Sequence, residues 1–377
     1  MKAISLFSGI GLAETYFKEL GIDVILANEK DQERSKLYQY LYPSTKMLTG
    51  DIKNQEIQKI LIDTSKNIDL LIATPPCQGM SIAGKRIKGD PRNHLIYDAI
   101  QIIKKIQPKF IFLENVPMQL KTKIIINNQT LLIPDYIIQE LSSLYNFNNS
   151  NIIKAMDYGV AQMRSRNIIL LTKKNLNIEW EFPEKKDEVI TLKKLLHNVP
   201  SLDPYVREGY EQTIKLFPDF EIKRNKGLKL AKWHYPPTHA MRHIEWMSKT
   251  PSGETAFNNK IFYPQKPNGE RIKGHYNHYR RLSWDKPSRT ITQNNGVISS
   301  LACVHPGYRI KDGNESNRLY SDPRTFTIYE LMLISSLPKN WNLPNWSKES
   351  FIRKGIGEGI PPILVKKIMK GLIKLIN

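Results

Sequence analysis

The sequence predicts an α/β protein: a mostly parallel sheet with helices on both faces, followed by a smaller region of irregular or β-rich character. Three observations lead there. Short apolar runs alternate with amphipathic stretches over the first 175 or so residues, the rhythm of βαβ units. A glycine-rich turn, Gly9 and Gly11, follows the first apolar run, where sheets of this kind receive nucleotides. After about residue 185 the rhythm gives way to scattered Pro, Gly, Lys, Arg and aromatic residues. A chain of 377 residues is too long for one ordinary core. The expected division is a first domain over 1–185, completed by 350–377, and a second over 186–349.

The elements follow in order. KAISLF reads as a strand, FSGIG as a tight turn, and LAETYFKELG as a short amphipathic helix closed by Gly21. IDVILANE is a second strand ending at Glu29. LLIAT is another strand, and Pro75 and Pro76 stop it. HLIYDAIQIIKKI is a helix, KFIFLENV a strand, DYIIQELSSLY a helix and RNIILLTKK a late strand. Order returns in FTIYELMLISSLP, which looks helical. PPILVKKIMKGLIKLI is an amphipathic helix with Pro at its start.

Composition narrows the function. No apolar run reaches the roughly 18–20 residues that span a bilayer, and MKAISLFSGIGLAE is a poor signal peptide. The two cysteines, Cys77 and Cys303, cannot build a disulfide framework or a cysteine-rich zinc site. They fit a reducing cytoplasm. The net charge is +20, and it is unevenly spread. Residues 1–100 hold 13 basic and 12 acidic side chains, whereas residues 221–300 hold 15 basic and 5 acidic. That concentration favours a polyanion, nucleic acid first. A solvated basic face is the plainer alternative.

Candidate residues gather at the strand ends. Glu29 stands 20 residues after Gly9, and a carboxylate there can accept from both hydroxyls of a ribose. Residue 14 is Glu, not the third glycine of a pyrophosphate-binding turn. An acid there suits a cofactor without phosphate and with a cationic tail, such as S-adenosylmethionine. Asp51 is either an acceptor for an adenine amino group or an ordinary turn acid. Cys77, behind its two prolines, is either a small core thiol or a nucleophile. Glu114 ends KFIFLENV, and parallel strands bring their ends to one edge, so Cys77 and Glu114 can meet over one substrate. Gln162, Arg164 and Arg166 lie before or at the start of the late strand. Alternation points Arg164 and Arg166 to one face. Cys303 reads as structural. His239 and His243 lack the glutamate that a metal-binding helix would place after the first histidine.

FSGIG, NE at 28–29, GD at 50–51, PPCQ, ENV and QMRSR, in this order, resemble the ordered motifs of the cytosine-C5 DNA methyltransferase family. RTFTIYE at 324–330 and IGEGIPP resemble its last two segments. RRLSWDKPSRTIT at 280–292 resembles a stretch of its recognition domain. The likeness runs from residue 5 to about 175 and from about 320 to the end. It implies a Rossmann-like, S-adenosylmethionine-dependent methyltransferase domain and a target recognition domain over 186–349. The expected activity is methyl transfer to carbon 5 of cytosine within a specific duplex DNA sequence, leaving S-adenosyl-L-homocysteine. It further implies the modification half of a bacterial restriction–modification system, in the cytoplasm, with a cognate restriction endonuclease alongside.

The resemblance also implies roles. Cys77 would add to carbon 6 of a flipped-out cytosine and make carbon 5 nucleophilic. Glu114 would hold or donate a proton at N3. Arg166 would bind O2, and Arg164 would order the site and lower the thiol pKa. Cofactor contacts would come from Phe7, Ser8, Gly9 and Gly11, from Glu29, Asp51 and Ile52, from Pro75 and Gln78, and from Glu358 and Ile360. DNA contacts would come from Ser81, Lys85, Arg86 and Arg92 in a basic loop, and from Arg281 and Arg289. Three residues depart from the family pattern: Glu358 replaces the usual Asn, Lys30 an aromatic, and Tyr329 an Arg. These bear on cofactor affinity. An RNA cytosine-C5 methyltransferase and a catalytically silent DNA-binding relative are the rival readings. A nucleotide-dependent oxidoreductase is disfavoured by Glu14.

Overall fold

The computed structural model describes residues 1–76, 91–148, 152–185 and 188–376. At its centre is an eight-stranded sheet. Five strands run parallel: β1 (Lys2–Leu6), β2 (Asp23–Glu29), β3 (Lys46–Thr49), β4 (Leu70–Ala73) and β5 (Phe110–Asn115). A hairpin of β6 (Lys123–Ile126) and β7 (Gln129–Leu132) stands apart. Then come β8 (Tyr145–Asn148), β9 (Ile152–Lys154) and β10 (Ser165–Lys173). The order is β3-β2-β1-β4-β5-β10-β8, with β10 antiparallel to its neighbours and β9 paired to β10. The chain winds outward from β1 in one direction and returns through β4 in the other. The crevice beyond the carboxyl ends of β1 and β4 is therefore the switch point where such sheets bind ligands.

The strands are buried on both faces, so they read as near-continuous apolar runs. Alternate residues divide between two cores. Ile4, Leu6, Leu71, Ile111 and Leu113 pack with helices α3 (Leu95–Ile106) and α4 (Ile133–Leu141). Ala3, Leu70, Ile72, Phe110 and Phe112 pack with Trp180 and with Leu364, Val365 and Ile368. Those last three lie on the C-terminal helix Pro362–Ile376, which returns to cover the sheet. The two helices between β2 and β4 have side-chain caps. Asp31 accepts from Arg34 N at the start of α1 (Gln32–Leu41), and Asn54 from Glu56 N at the start of α2 (Gln55–Thr64).

The expected helix over 12–21 is a run of turns ending in a short 3₁₀ helix, Lys18–Leu20. Phe17 N bonds to Glu14 O and Leu20 N to Phe17 O, each at 2.9 Å. Thr15 Oγ1 folds back on Leu12 O at 2.8 Å. These three-residue spacings tighten the backbone before an α-helix can establish itself.

Residues 188–349 are irregular. Short helices α5 (Leu192–Leu196), α6 (Tyr210–Leu216), α7 (Phe220–Leu230) and α8 (Met241–Ser248) are joined by loops and by strands of two or three residues. Two further helices follow, α9 (Ile328–Ile334) and α10 (Glu349–Glu358), and the C-terminal helix is α11. A third core joins the two parts: Ile10, Leu12 and Leu37 pack with Leu192, Leu282, Phe326 and Ile352. A smaller one holds Trp246, Met247, Tyr279 and Val304 together.

Arg281, expected to contact DNA, is fully buried inside the irregular region. Its guanidinium donates to the carbonyls of Met247, His305, Ser321 and Asp322. It ties loops together and presents nothing to a phosphate. Cys303 is also buried and donates to Val297 O at 3.0 Å, and burial pushes its thiol up to about 12. His239 is buried, with Nε2 accepting from Thr325 N at 3.1 Å. Among the described residues no helix is long and apolar enough to cross a membrane.

Candidate active site

One cavity of about 1340 Å³ opens at the switch point and runs from the glycine turn to the ends of β5 and β10. Phe7 starts the turn with φ of 58°, a left-handed conformation unusual for an aromatic residue. Thr74 Oγ1 holds it by donating to Phe7 O at 3.0 Å. Gly9 has φ of +57°, and a Cβ there would meet nothing within 4 Å. It offers open backbone on the cavity wall. Gly11 does not line the cavity, contrary to expectation. Its φ of +81° and the Tyr42 ring against its α-carbon make it a packing glycine.

Glu29 lies at the carboxyl end of β2 and is buried. Oε2 accepts from Gly9 N and Oε1 from Asp31 N, both at 2.9 Å. Each oxygen retains a lone pair, so the carboxylate is fixed in place and can still accept from two hydroxyls. Asp51 and Ile52 line the same end, as do Ser8, Pro75 and Ile360. Lys30, which replaces an aromatic of the family pattern, pairs with Asp51 Oδ2 at 2.8 Å. Glu14 lies buried on the wall, and Ser5 Oγ donates to it. Burial pushes its carboxyl up to about 7, against the pull of that hydrogen bond. An open glycine backbone, a fixed ribose-type acceptor at Glu29 and the carboxylates of Glu14 and Asp51 at this end fit an adenosyl cofactor with a cationic tail.

At the far end, Glu114 from β5 and Arg166 from β10 form a buried ion pair, Nε to Oε1 at 2.5 Å. The antiparallel register puts Ile168 opposite Glu114, so Arg166 is one alternate position away on the same face. Burial pushes the Glu114 carboxyl above its ordinary value, while Arg166 and Arg164 pull it down. Arg164 donates to the carbonyls of Ile291 at 2.8 Å, Gly357 at 2.9 Å and Glu358 at 2.7 Å. It thereby joins the sheet to the loop after Thr290 and to the end of α10. Gln162 supports the same loop by accepting from Ile291 N at 3.2 Å. Asn115 Nδ2 donates to Pro75 O at 3.1 Å, which anchors the proline segment beside the Glu114 strand.

Cys77, Gln78, Ser81, Lys85 and Arg86 lie outside the described residues, as does the side chain of Arg92. Pro75 and Pro76, the last described residues before that stretch, line the cavity. Arg289 is half-buried and donates to Asn277 Oδ1. The sequence reading missed Arg34, whose Nη2 lies 2.6 Å from Glu358 Oε2 on the cavity wall. A lone arginine in the first turn of a surface helix carries no signal of its own. It also missed Asn115, although ENV contains it.

Known proteins resemble this chain along its length. The family model of C-5 cytosine-specific DNA methylases matches residues 1–374. The Type II methyltransferase M1.HgaI of Avibacterium volantium is 41% identical over 97% of this chain and 96% of its own length. M.DdeI, a Type II methyltransferase of Desulfomicrobium norvegicum, is 28% identical over the whole chain and 91% of its own length. Among solved structures, Spodoptera frugiperda DNMT2 superposes with a TM-score of 0.59 at 16% identity, covering 98% of this chain and 99% of its own. That likeness speaks for the fold alone. The chain belongs to the C-5 cytosine-specific DNA methylase family: it is a DNA cytosine-5-methyltransferase with S-adenosyl-L-methionine as methyl donor.

Proposed function

We propose that this enzyme methylates one cytosine within a specific duplex sequence, flipped out of the helix, as the modification half of a Type II restriction–modification system. The observation that carries the reading is the single cavity holding the fixed Glu29 carboxylate at one end and the buried Glu114–Arg166 pair at the other. Donor and acceptor pockets are contiguous, as group transfer requires. The likeness to M1.HgaI along nearly its whole length supports the restriction–modification assignment and a cytoplasmic location. Residues 186–349 would form the target recognition domain and its return segment, which include the basic stretch 221–300.

The chemistry assigns a role to each residue. The cofactor supplies an electrophilic methyl group. The Cys77 thiolate adds to carbon 6, forming a C–S bond, and the C5–C6 π electrons become available at carbon 5. Glu114 supplies the proton that neutralises N3, and Arg166 faces O2. Carbon 5 then takes the methyl group, S-adenosyl-L-homocysteine being the leaving thioether; its own proton leaves to a base, N3 returns its proton to Glu114 and the bond to the Cys77 sulfur breaks, restoring both the aromatic ring and the thiolate. Arg164 is a positioning residue, since its donors grip carbonyls on two segments, the loop at Ile291 and the end of α10.

The test is transfer of labelled methyl to mixed-sequence duplex DNA, with transfer RNA and Cys77→Ala as controls. The expected result is label at cytosine C5 of DNA, absent in the variant and confined to one sequence when mapped. Label in RNA alone would overturn the substrate, and turnover by the alanine variant would overturn the covalent route.

A further inference from the structure

Arg34 is one of the charged side chains that line this cavity. It projects from the first turn of α1 across the cavity wall to Glu358 at the end of α10, at 2.6 Å. Each side chain is only about one-fifth exposed, at 19% and 21%. Such a pair, half-sequestered from water, retains more of its charge interaction than a surface pair does. Glu358 is only partly satisfied by it. Oε2 takes the arginine, while Oε1 is buried with no hydrogen-bond donor among the described residues. The main chain of the same residue faces the reacting end: its carbonyl accepts from Arg164 at 2.7 Å and from Arg166 at 3.3 Å. Glu358 thus stands at the fork between the Glu29 end and the Glu114 end of the cavity.

We propose that Arg34 recognises the α-carboxylate of the cofactor's amino-acid tail and that Glu358 receives its α-ammonium. This rests on the reading of the cavity as the cofactor site. With the ribose at Glu29 and the sulfur directed toward Glu114, the amino-acid arm branches between them, where Glu358 and Arg34 stand. That arm is a zwitterion. An ion pair of the opposite polarity, with one acceptor oxygen still unfilled, is its electrostatic complement. The pairing also accounts for the departure at residue 358. A carboxylate alone there would repel the tail's own carboxylate, and Arg34 supplies the compensating charge. Arg34 is therefore a specificity-determining residue: it makes the enzyme demand a cofactor with its carboxylate intact.

The experiment is calorimetric binding of S-adenosylhomocysteine and of its decarboxylated analogue, which keeps the amine, to wild type, Arg34→Ala, Arg34→Lys and Glu29→Gln. Wild type is expected to prefer the carboxylate-bearing ligand roughly 10- to 100-fold, the range of a charge-assisted hydrogen bond. Arg34→Ala should erase that preference by weakening S-adenosylhomocysteine alone, and Arg34→Lys should restore part of it. Equal weakening of both ligands by Arg34→Ala would overturn the proposal and leave Arg34 as a strut between helices. If Glu29→Gln leaves both affinities unchanged, or wild type binds neither ligand, the cofactor-site reading fails and the proposal with it. Weakening by Glu29→Gln without any carboxylate preference would sink the Arg34 assignment alone.

Discussion

At the residue scale, the two arginines that alternation places on one face do different work. Arg166 balances a buried carboxylate, whereas Arg164 spends its donors on the carbonyls of Ile291, Gly357 and Glu358. Arg164→Ala would leave the buried carbonyls of Ile291 and Gly357 without this partner and that of Glu358 with Arg166 alone. We expect a stability loss of about 3 kcal/mol or more, seen in urea unfolding as a lower midpoint at unchanged slope. Glu114→Gln should behave oppositely. The amide fills the same space and can hydrogen-bond at N3, but it has no acid proton to give. Single-turnover methylation should slow by about 10²- to 10⁴-fold, with S-adenosylhomocysteine affinity intact. A Gln variant at near-wild-type rate would remove Glu114 from the chemistry. Burial works in favour of that chemistry, because it lifts the Glu114 carboxyl toward holding a proton despite two nearby guanidiniums.

At the element scale, α10 is the joint between the sheet and the irregular region, and its glycines set how closely they meet. A Cβ on Gly357 would run into the backbone of Thr292 and Gln293, which cannot give way cheaply. A Cβ on Gly355 would press on the far end of the Ile10 side chain, which can rotate. Gly357→Ala should therefore cost about 1–3 kcal/mol and Gly355→Ala distinctly less, compared by thermal unfolding. The same contrast shows what was legible in the sequence. The strands β1, β2, β4, β5 and β10 and helices α3, α4, α9 and α11 were readable, because burial imposes a period on them. The stretch 12–21 was not, because glycines with left-handed φ and a back-bonding threonine override its apolar spacing. Arg281 was misplaced for a related reason: counting basic residues locates a basic region but cannot tell a buried clamp from a phosphate contact. The Arg34–Glu358 pair joins residues more than 300 positions apart, and only the fold brings it into view.

At the scale of the whole molecule, the two parts carry opposite responses to acid. In the irregular region His305 is fully buried, and its Nδ1 accepts from Gly307 N at 3.1 Å, the bond of a neutral ring. Burial pushes His305 and His243 down to about 4 and His239 to about 3, and it lowers His234 as well. Below pH 6.5 the unfolded chain binds protons that these folded rings refuse, so stability falls as pH drops from about 6.5 toward 4. The buried carboxylates add to this further down. Burial works against Asp322 and Glu330, yet His305 and Arg324 hold Asp322 well below the usual range, and Arg324 holds Glu330 to about 2. Their contribution is present above about pH 4 and is lost as they protonate. In the sheet the sign reverses. Glu14, lifted to about 7, and Glu114, lifted by burial, bind protons more tightly folded than unfolded. Their contribution is complete below the ordinary carboxylate range and fades as pH rises through the folded values. Acidification should therefore loosen the irregular region while the sheet holds. Hydrogen exchange of the full chain at pH 7 and pH 4.5, corrected for intrinsic rates, measures this directly. The expected outcome is lost protection across 234–330, with β1, β4 and β5 still protected. Uniform loss in both parts would show that the third core, which ties Ile10, Leu12 and Leu37 to Leu282 and Phe326, makes the molecule one cooperative unit. The histidine burial would then destabilise the sheet as much as the loops that contain it.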